Sequence, residues 1–530
     1  MNPPSSASVQ TKVAIAACFG TFLEWYDFLT FAALATYFGA LFFPPDNPVA
    51  ALLASLATFG VGMVVRPLGA AIFGSLGDRI GRRKVFIATI VLMGVATFGV
   101  GLLPTYAQVG LLAPALLLAL RLLQGMAMGG EIGGAVVYLT EHAPANKRGI
   151  YTSVLQLMGP LGIMASTFQI VLLQGWLSDA EFRDWGWRVP FLLSIVLLAI
   201  SLKSRLALHE SPVFAELRRS NGISRTPLAD CFRDRHTLGR MALLFFCISA
   251  GGSLLFFSSQ VYSTVFLKNV VKLDPRDAGS IVMVATLALF PLTVFCGWLS
   301  DRIGRRPVLL AGLLIGFVSI LPVFQGLLHF GNPALERFHD TVKIELRGSG
   351  CDYSPFRKAA TDCEKVQELF ARKGVNYALA ADTVLSVKVM RSGIPWDGGS
   401  GTVSGADAAS IERTLIAAGW PEKADPLQVD RTMLILLLLI PVVAVAAITG
   451  PQTATLAELF PARTRYSAVA LPHNLSAGWI GGLSPFMVTL LSVQAGSALA
   501  GLWYPVALLG MASVVGLLFL PETRNAPLDR

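Results

Sequence analysis

Apolar stretches recur along the whole 530-residue chain, separated by short polar turns. They lie near 13–41, 50–76, 85–104, 110–138, 150–175, 187–204, 239–266, 277–300, 307–329, 432–459, 466–493 and 498–520. An α-helix of about 20 residues crosses the ~30 Å hydrocarbon core of a bilayer. The pattern therefore predicts twelve membrane-spanning helices in two sets of six, with a polar interval from about Gly331 to Asp430 interrupting the second set.

Inside that interval the periodicity changes. Thr341 to Leu346 and Thr383 to Met390 read as extended. Thr361 to Arg372 reads as a helix, as does Ala406 to Ala418 behind Ser404. Trp396-Asp-Gly-Gly-Ser-Gly reads as a turn rather than a phosphate-binding loop, and no metal-ligand spacing or nucleophile motif is present. A small α+β insert follows, acting either as a cap or as a substrate-sensing domain.

Composition agrees with a membrane protein. Hydrophobic residues make up 54%, charged residues only 14%, and the mean hydropathy is +0.62. Met1 to Gln10 has no basic region and no small-residue cleavage site, so a cleaved signal peptide is not expected. Lysines and arginines fall on alternate connections: Lys12, Arg79 to Lys84, Lys147/Arg148, Lys203 to Arg240, Arg302 to Arg306, Arg463/Arg465 and Arg524/Arg530. The positive-inside rule makes that face cytoplasmic and both termini with it. The formal charge of +9 is then mostly topology, with no need for a nucleic-acid partner. The insert falls on the opposite face, where Cys351 and Cys363 can oxidise, and a disulfide between them is expected.

A ten-residue turn is built twice. Gly74-Ser-Leu-Gly-Asp78-Arg79-Ile-Gly-Arg82-Arg83 returns as Gly297-Trp-Leu-Ser-Asp301-Arg302-Ile-Gly-Arg305-Arg306, 223 positions later. Glu141-x-x-Pro144-x-x-x-Arg148 returns as Glu458-x-x-Pro461-x-x-x-Arg465, 317 positions later. One repeat has one period, so the 94-residue difference measures the insert. In each turn an Asp can accept hydrogen bonds from a neighbouring helix N-terminus, and the arginines can pair with Glu141 and Glu458. That makes a breakable gating latch; the plainer alternative is a basic loop that only sets topology.

These turns resemble the hallmark loops of the major facilitator superfamily. Further strings are similar to its metabolite:proton symporter family: Gly20-Thr-Phe-Leu-Glu24-Trp-Tyr-Asp27-Phe28, Val65-Arg66-Pro-Leu-Gly69, Arg121-Leu-Leu-Gln124-Gly, Gly129-Gly-Glu131-Ile-Gly-Gly134, Gly186-Trp-Arg188-Val-Pro190-Phe191, Glu210-Ser-Pro212-Val-Phe214 and Leu459-Phe-Pro-Ala-Arg-Thr-Arg465-Tyr. The resemblance implies an all-α membrane protein of two pseudo-symmetric six-helix bundles, alternating access around a midplane site, and uptake of an organic acid or zwitterion with a proton. Members carry citrate, 2-oxoglutarate, shikimate, proline or betaine. The expected organisation is a first bundle at 1–204, a cytoplasmic linker at 205–238, helices seven to nine at 239–330, a periplasmic insert at 331–430 and helices ten to twelve at 431–530.

Ionisable groups inside spans are costly, so they pair or do work. Glu24, Asp27, Arg66, Arg121, Glu131 and His473 are the candidates. Asp27 is expected to carry the proton with Arg121 as its switchable partner, since moving a cation toward or away from a buried carboxylate changes its proton affinity. The resemblance supports this, because related proton-coupled facilitators use an acid in span one and an arginine in span four. A static buried pair is the alternative. Glu24, Arg66 and Glu131 make a second cluster, two carboxylates against one cation, in which either acid could hold the proton or Arg66 could bind a substrate carboxylate. His473 could relay protons or be a local substitution. Tyr26, Gln124, Gln156, Gln169, Gln260, Tyr262, Gln452 and Asn474 could line a polar cavity or bond between helices. Gly159-Pro160 and Gly450-Pro451 are expected kinks.

No Gly-x-x-x-x-Gly-Lys-Ser/Thr loop occurs, which argues against a primary pump. Midplane charges in a two-fold repeat suit alternating access rather than a channel. The expectation is a proton-coupled symporter in a bacterial inner membrane, working as a monomer in the lipid bilayer, neither an enzyme nor cofactor-dependent. An uncoupled facilitator and a transporter-derived sensor are the alternatives.

Overall fold

The computed structural model describes residues 6–44, 48–352, 359–391, 394–395, 402–405 and 407–528. The first half contains the long helices α1 (Ser6–Ala33), α2 (Pro48–Ile80), α3 (Arg82–Leu102), α4 (Leu112–His142), α5 (Ala145–Trp176) and α6 (Gly186–Leu206). The second contains α7 (Arg235–Asn269), α8 (Pro275–Ile303), α9 (Arg305–Gly331), α10 (Arg431–Glu458), α11 (Arg465–Gln494) and α12 (Ala500–Phe519). Among the described residues eleven stretches, from Gly60 of α2 onward, are long and apolar enough to cross a membrane.

Each half packs on itself, with α2 against α4, α1 against α5, and α9 against α10 and α12. The halves meet where α11 packs on α2 and α4 and where α5 packs on α8 and α10. Small residues allow that approach: a Cβ on Gly297 would meet the Gly149 carbonyl at 2.7 Å and Ser153 at 2.8 Å. Helix α5 is interrupted at Leu157, beside Gly159-Pro160, whereas α10 runs unbroken through Pro441 and Pro451. Helices α7 and α11 carry π-helical turns at Leu244–Ser249, Phe257–Tyr262 and Ser476–Gly481.

The insert forms a sheet of β1 (Val342–Gly348), β2 (Ala378–Ala381), β3 (Ser386–Arg391), β4 (Ile394–Pro395) and β5 (Thr402–Ser404). The order is β2-β1-β3-β4 with β5 on β3, and only β1–β2 is parallel. Ile344 and Leu346 stand opposite Val389 and Val387, and helices Asp362–Lys373 and Ala408–Ala417 bury Val366, Phe370, Ile411 and Leu415. The second of these helices is capped by Asp407, whose carboxylate accepts from the Ala409 and Ser410 amides. The expected cap, Ser404, instead pairs with Ser386 in the sheet. The segment Trp396–Gly401, expected to turn, lies outside the described residues. Cys351 and Cys363 form a disulfide.

The insert is bonded to the second half. Tyr377 donates its amide to the Gly496 carbonyl at 2.7 Å and its hydroxyl to Val493, and Asn376 accepts from the Ala498 amide at 3.0 Å. Ala424 donates to the Lys272 carbonyl at 3.1 Å. Burial there pulls the Lys272 ammonium down to about 8, with Lys373 adding repulsion.

Candidate functional site

The two repeated turns sit at the ends of α2 and α8, and each ends in a glycine that only a residue without Cβ adopts easily, Gly81 at φ +116° and Gly304 at φ +110°. Asp78 accepts from the amides of Tyr466 and Ser467, at 3.2 and 2.9 Å, at the start of α11 in the other half. Asp301 likewise accepts from Gly149 and Ile150, at 2.8 and 2.9 Å, where α5 resumes after Arg148. Each carboxylate thus satisfies orphan amides of a helix in the opposite half.

Arg82 approaches Glu141 at 3.1 Å, and Arg305 approaches Glu458 at 3.3 Å. The second repeated motif pairs crosswise. Arg465 reaches Glu141 at 2.7 Å and Arg148 reaches Glu458 at 3.5 Å, so each glutamate binds the arginine of the other copy. Arg83 and Arg306 do not join these acids; their guanidinium groups donate to the Leu206 and Leu517 carbonyls at 2.8 and 2.7 Å. Arg79 is exposed, and Arg302 lies over the Trp298 ring at 4.2 Å. Only one arginine of each expected trio therefore serves the acidic partner.

A third repeat completes the constellation. Glu210 accepts from the amides of Arg82 and Arg83, at 3.1 and 3.2 Å, and Glu522 from those of Arg305 and Arg306, at 2.8 and 3.1 Å. The next residue, Ser211 or Thr523, donates its hydroxyl to Glu141 or Glu458. The chain beyond Glu522 then crosses the seam, where the Ala526 and Leu528 carbonyls accept from Arg148 and Arg465 at 2.8 and 2.7 Å.

Deeper in the helices, Glu24 and Arg66 lie 3.9 Å apart, both buried. Glu131 does not complete an unbalanced trio with them. It is bound by Arg205, from the last turn of α6, and by Thr89 at 2.9 Å. The guanidinium of Arg205 also lies over Phe86 at 3.5 Å. The cluster is two acids against two bases. Gly20 makes room for it, since a Cβ there would collide with the Arg205 guanidinium.

Asp27 is buried with Thr97 beside it and Arg121 as its charged neighbour. Arg121 donates to Gln124 at 2.9 Å and lies over the Phe31 ring at 4.1 Å, and Gln124 donates to Thr97 at 2.7 Å. This network is enclosed within the first half.

A separate central cavity opens between the halves. Of the expected lining residues, Arg66, Gln156, Gln452 and His473 face it, joined by Thr21, Trp25, Ser253, Phe256 and Thr449, which were not foreseen. Arg66 also donates to Asn474 at 3.1 Å, Gln156 to Thr453 at 2.9 Å, and His473 meets Ser249 at 2.8 Å. The other expected lining residues lie off this cavity. Tyr26 bonds Gln169 within the first half, Asn474 holds the Gly129 carbonyl, Gln260 takes the Thr286 hydroxyl, and Tyr262 lines a crevice beneath the insert.

A family model described as "Sugar (and other) transporter" matches residues 13–230 and 215–333. The chain belongs to that family. It is a multi-pass membrane transporter of the major facilitator superfamily, not an enzyme. The inner membrane metabolite transport protein YhjE of Escherichia coli is 39% identical over 333 residues, covering 62% of this chain and 74% of the relative. The shikimate transporter of Escherichia coli is 37% identical over 327 residues, 61% and 74% of the two chains. A Haemophilus influenzae protein described as a metabolite transport protein is 30% identical over 522 residues, 98% and 97% of the two. The proton:xylose symporter XylE, bound to 6-bromo-6-deoxy-D-glucose, superposes with a TM-score of 0.61 at 15% identity, over 99% of this chain and 98% of XylE, which shows a shared fold. The transporter's family match ends at residue 333, two residues beyond α9, where the insert begins.

Proposed function

We propose that this transporter imports a small organic acid or zwitterionic metabolite together with a proton, by alternating access between two six-helix bundles. The observation that carries the substrate class is Arg66 on the wall of the central cavity, held between the Glu24 carboxylate and Asn474. A guanidinium facing a cavity between the halves is a ready partner for a substrate carboxylate, and Trp25 and Phe256, with ring centroids 6.0 Å apart, offer an apolar wall for the rest. Proton coupling is assigned to Asp27 and Arg121, with Glu24 and Glu131 as the second candidates. The shikimate and proline/betaine transporters among the relatives support the same class of cargo.

In this reading the transporter has twelve spans, with α1 as the first, both termini in the cytoplasm and the insert in the periplasm of a bacterial inner membrane. The basic turns on one face and the disulfide on the other support that orientation. The Asp78 and Asp301 latches close the cytoplasmic side and break when the cavity turns inward. The test is uptake into proteoliposomes under an imposed pH gradient, with substrates chosen by a thermal-shift screen of organic acids and osmolytes. Accumulation that collapses with the gradient supports symport; equal uptake without a gradient makes the protein a facilitator.

A further inference from the structure

The two latch seams are related by the internal repeat, yet they are covered differently. At the seam of α2 with α11, the linker helix Pro227–Arg233 packs against both helices, and Cys231 is buried 3.9 Å from the Thr464 carbonyl, next to Asp78. At the seam of α8 with α5, no such element lies over Asp301 among the described residues. A crevice of about 760 Å³ opens there instead, between α1, α5 and α8.

Lys147, which takes the position of Thr464 in the repeat, stands on one side of that crevice, and Arg302, which takes the position of Arg79, on the other. Both are exposed, and neither is in an ion pair among the described residues. The Arg302 guanidinium rests over Trp298. Ile15 and Val154 line the same crevice and are 59% and 36% exposed, on α1 and α5, which the proposed topology places in the bilayer. Asp301 also lines the crevice, but its carboxylate is bonded to the Gly149 and Ile150 amides and paired with Arg305. The charges beside the turns without an ion-pair partner among the described residues are thus Lys147 and Arg302, and the lining along the helices is apolar.

We propose that this crevice binds an anionic phospholipid of the leaflet on the charged-turn side, headgroup phosphate between Lys147 and Arg302 and acyl chain along Ile15 and Val154. A lipid seated there spans both halves, because Lys147 belongs to the first and Arg302 to the second. It takes, at this seam, the place that the linker helix takes at the other. A free anion satisfies the two cations but leaves the apolar walls uncovered, which is why a lipid is the occupant. Calling the face cytoplasmic rests on the proposed orientation; the site itself does not.

The test uses the full-length protein in vesicles of phosphatidylcholine with or without phosphatidylglycerol, the same in both leaflets, so that neither orientation nor substrate enters the readout. Phosphatidylglycerol is expected to raise the melting temperature and to be retained in native mass spectra. Lys147→Ala with Arg302→Ala should weaken that binding about thirtyfold, from two basic side chains at a membrane surface. Lys147→Arg with Arg302→Lys should retain it, as should Arg218→Ala with Arg219→Ala, which removes two exposed charges from the linker. Undiminished retention of phosphatidylglycerol by the double alanine variant would overturn the proposal. So would an equal stabilisation by inorganic phosphate in phosphatidylcholine vesicles, which would mean a free-anion site.

Discussion

Arg465 holds Glu141 at 2.7 Å across the boundary between the two halves, and both side chains are buried. The same carboxylate also receives Arg82, so two guanidinium groups from opposite halves depend on one acid. Glu141→Gln removes the shared charge and leaves both arginines buried without it. Losing one member of a buried pair costs about 3–5 kcal/mol, or more than a hundredfold in an open-to-closed ratio. Cys231 reports this directly, because burial keeps its thiol hidden and pushes it up to about 12. With Cys231 as the sole free cysteine, maleimide labelling should accelerate in Glu141→Gln; an unchanged rate would mean that the pair does not gate the seam.

Asp27→Asn should abolish accumulation driven by a pH gradient, down to the level seen without one, while substrate exchange across the membrane persists. Asparagine keeps the volume but cannot exchange a proton. Proteoliposome uptake and counterflow measured side by side separate the two. Undiminished gradient-driven uptake would move the proton to Glu24 or Glu131.

Arg205→Ala should destabilise the protein by about 3–5 kcal/mol, because it strands Glu131 as a buried charge. Adding Glu131→Gln should recover part of that loss, since the two side chains act as one unit. Thermal melting of the two single variants and the double variant gives the coupling. Strictly additive losses would show that the pair is not coupled.

The insert should weaken in acid. His339 donates from Nε2 to the Gly374 carbonyl at 3.1 Å, and burial lowers it from 6.5 to about 4, with Asp340 opposing and Lys343 adding to the shift. Between those values the unfolded chain binds a proton that the folded insert refuses. Stability is therefore intact above pH 6.5, falls as the pH drops toward 4, and levels off below, by up to about 3 kcal/mol. Hydrogen exchange of β1 and its neighbours between pH 7 and 4 should show the slope, and His339→Gln should flatten it.

The latch was legible because its parts repeat. Two copies of Asp-Arg-Ile-Gly-Arg-Arg and two of Glu-x-x-Pro-x-x-x-Arg fix which acids and bases belong together, although the crossed pairing needs three dimensions. Glu210-Ser and Glu522-Thr repeat over too few residues to stand out, yet they cap the helices α3 and α9 that follow the repeated turns. Arg205 was hidden for another reason. Counting charges along the chain assigns it to the cytoplasmic connection, but it lies on the last turn of α6 and its long side chain turns inward to Glu131. The cavity wall was harder still. Polarity on an apolar helix singles out Gln260 and Tyr262, yet both lie off the cavity, on the π-helical turn Phe257–Tyr262. In the insert, Ala378–Ala381 carries helix-favouring alanines and becomes a strand only through its pairing with β1.

The bonds from Asn376 and Tyr377 to the α11–α12 turn, and from Ala424 to the α7–α8 turn, weld the insert, among the described residues, to the second half. Whatever rotation that half makes during a transport cycle, the insert copies it at a larger radius, like a lever on a hinge. An antibody fragment gripping the insert alone would ride along harmlessly. One that also touches an outer turn of α1 to α6 would clamp two moving bodies together and stop transport without approaching the cavity.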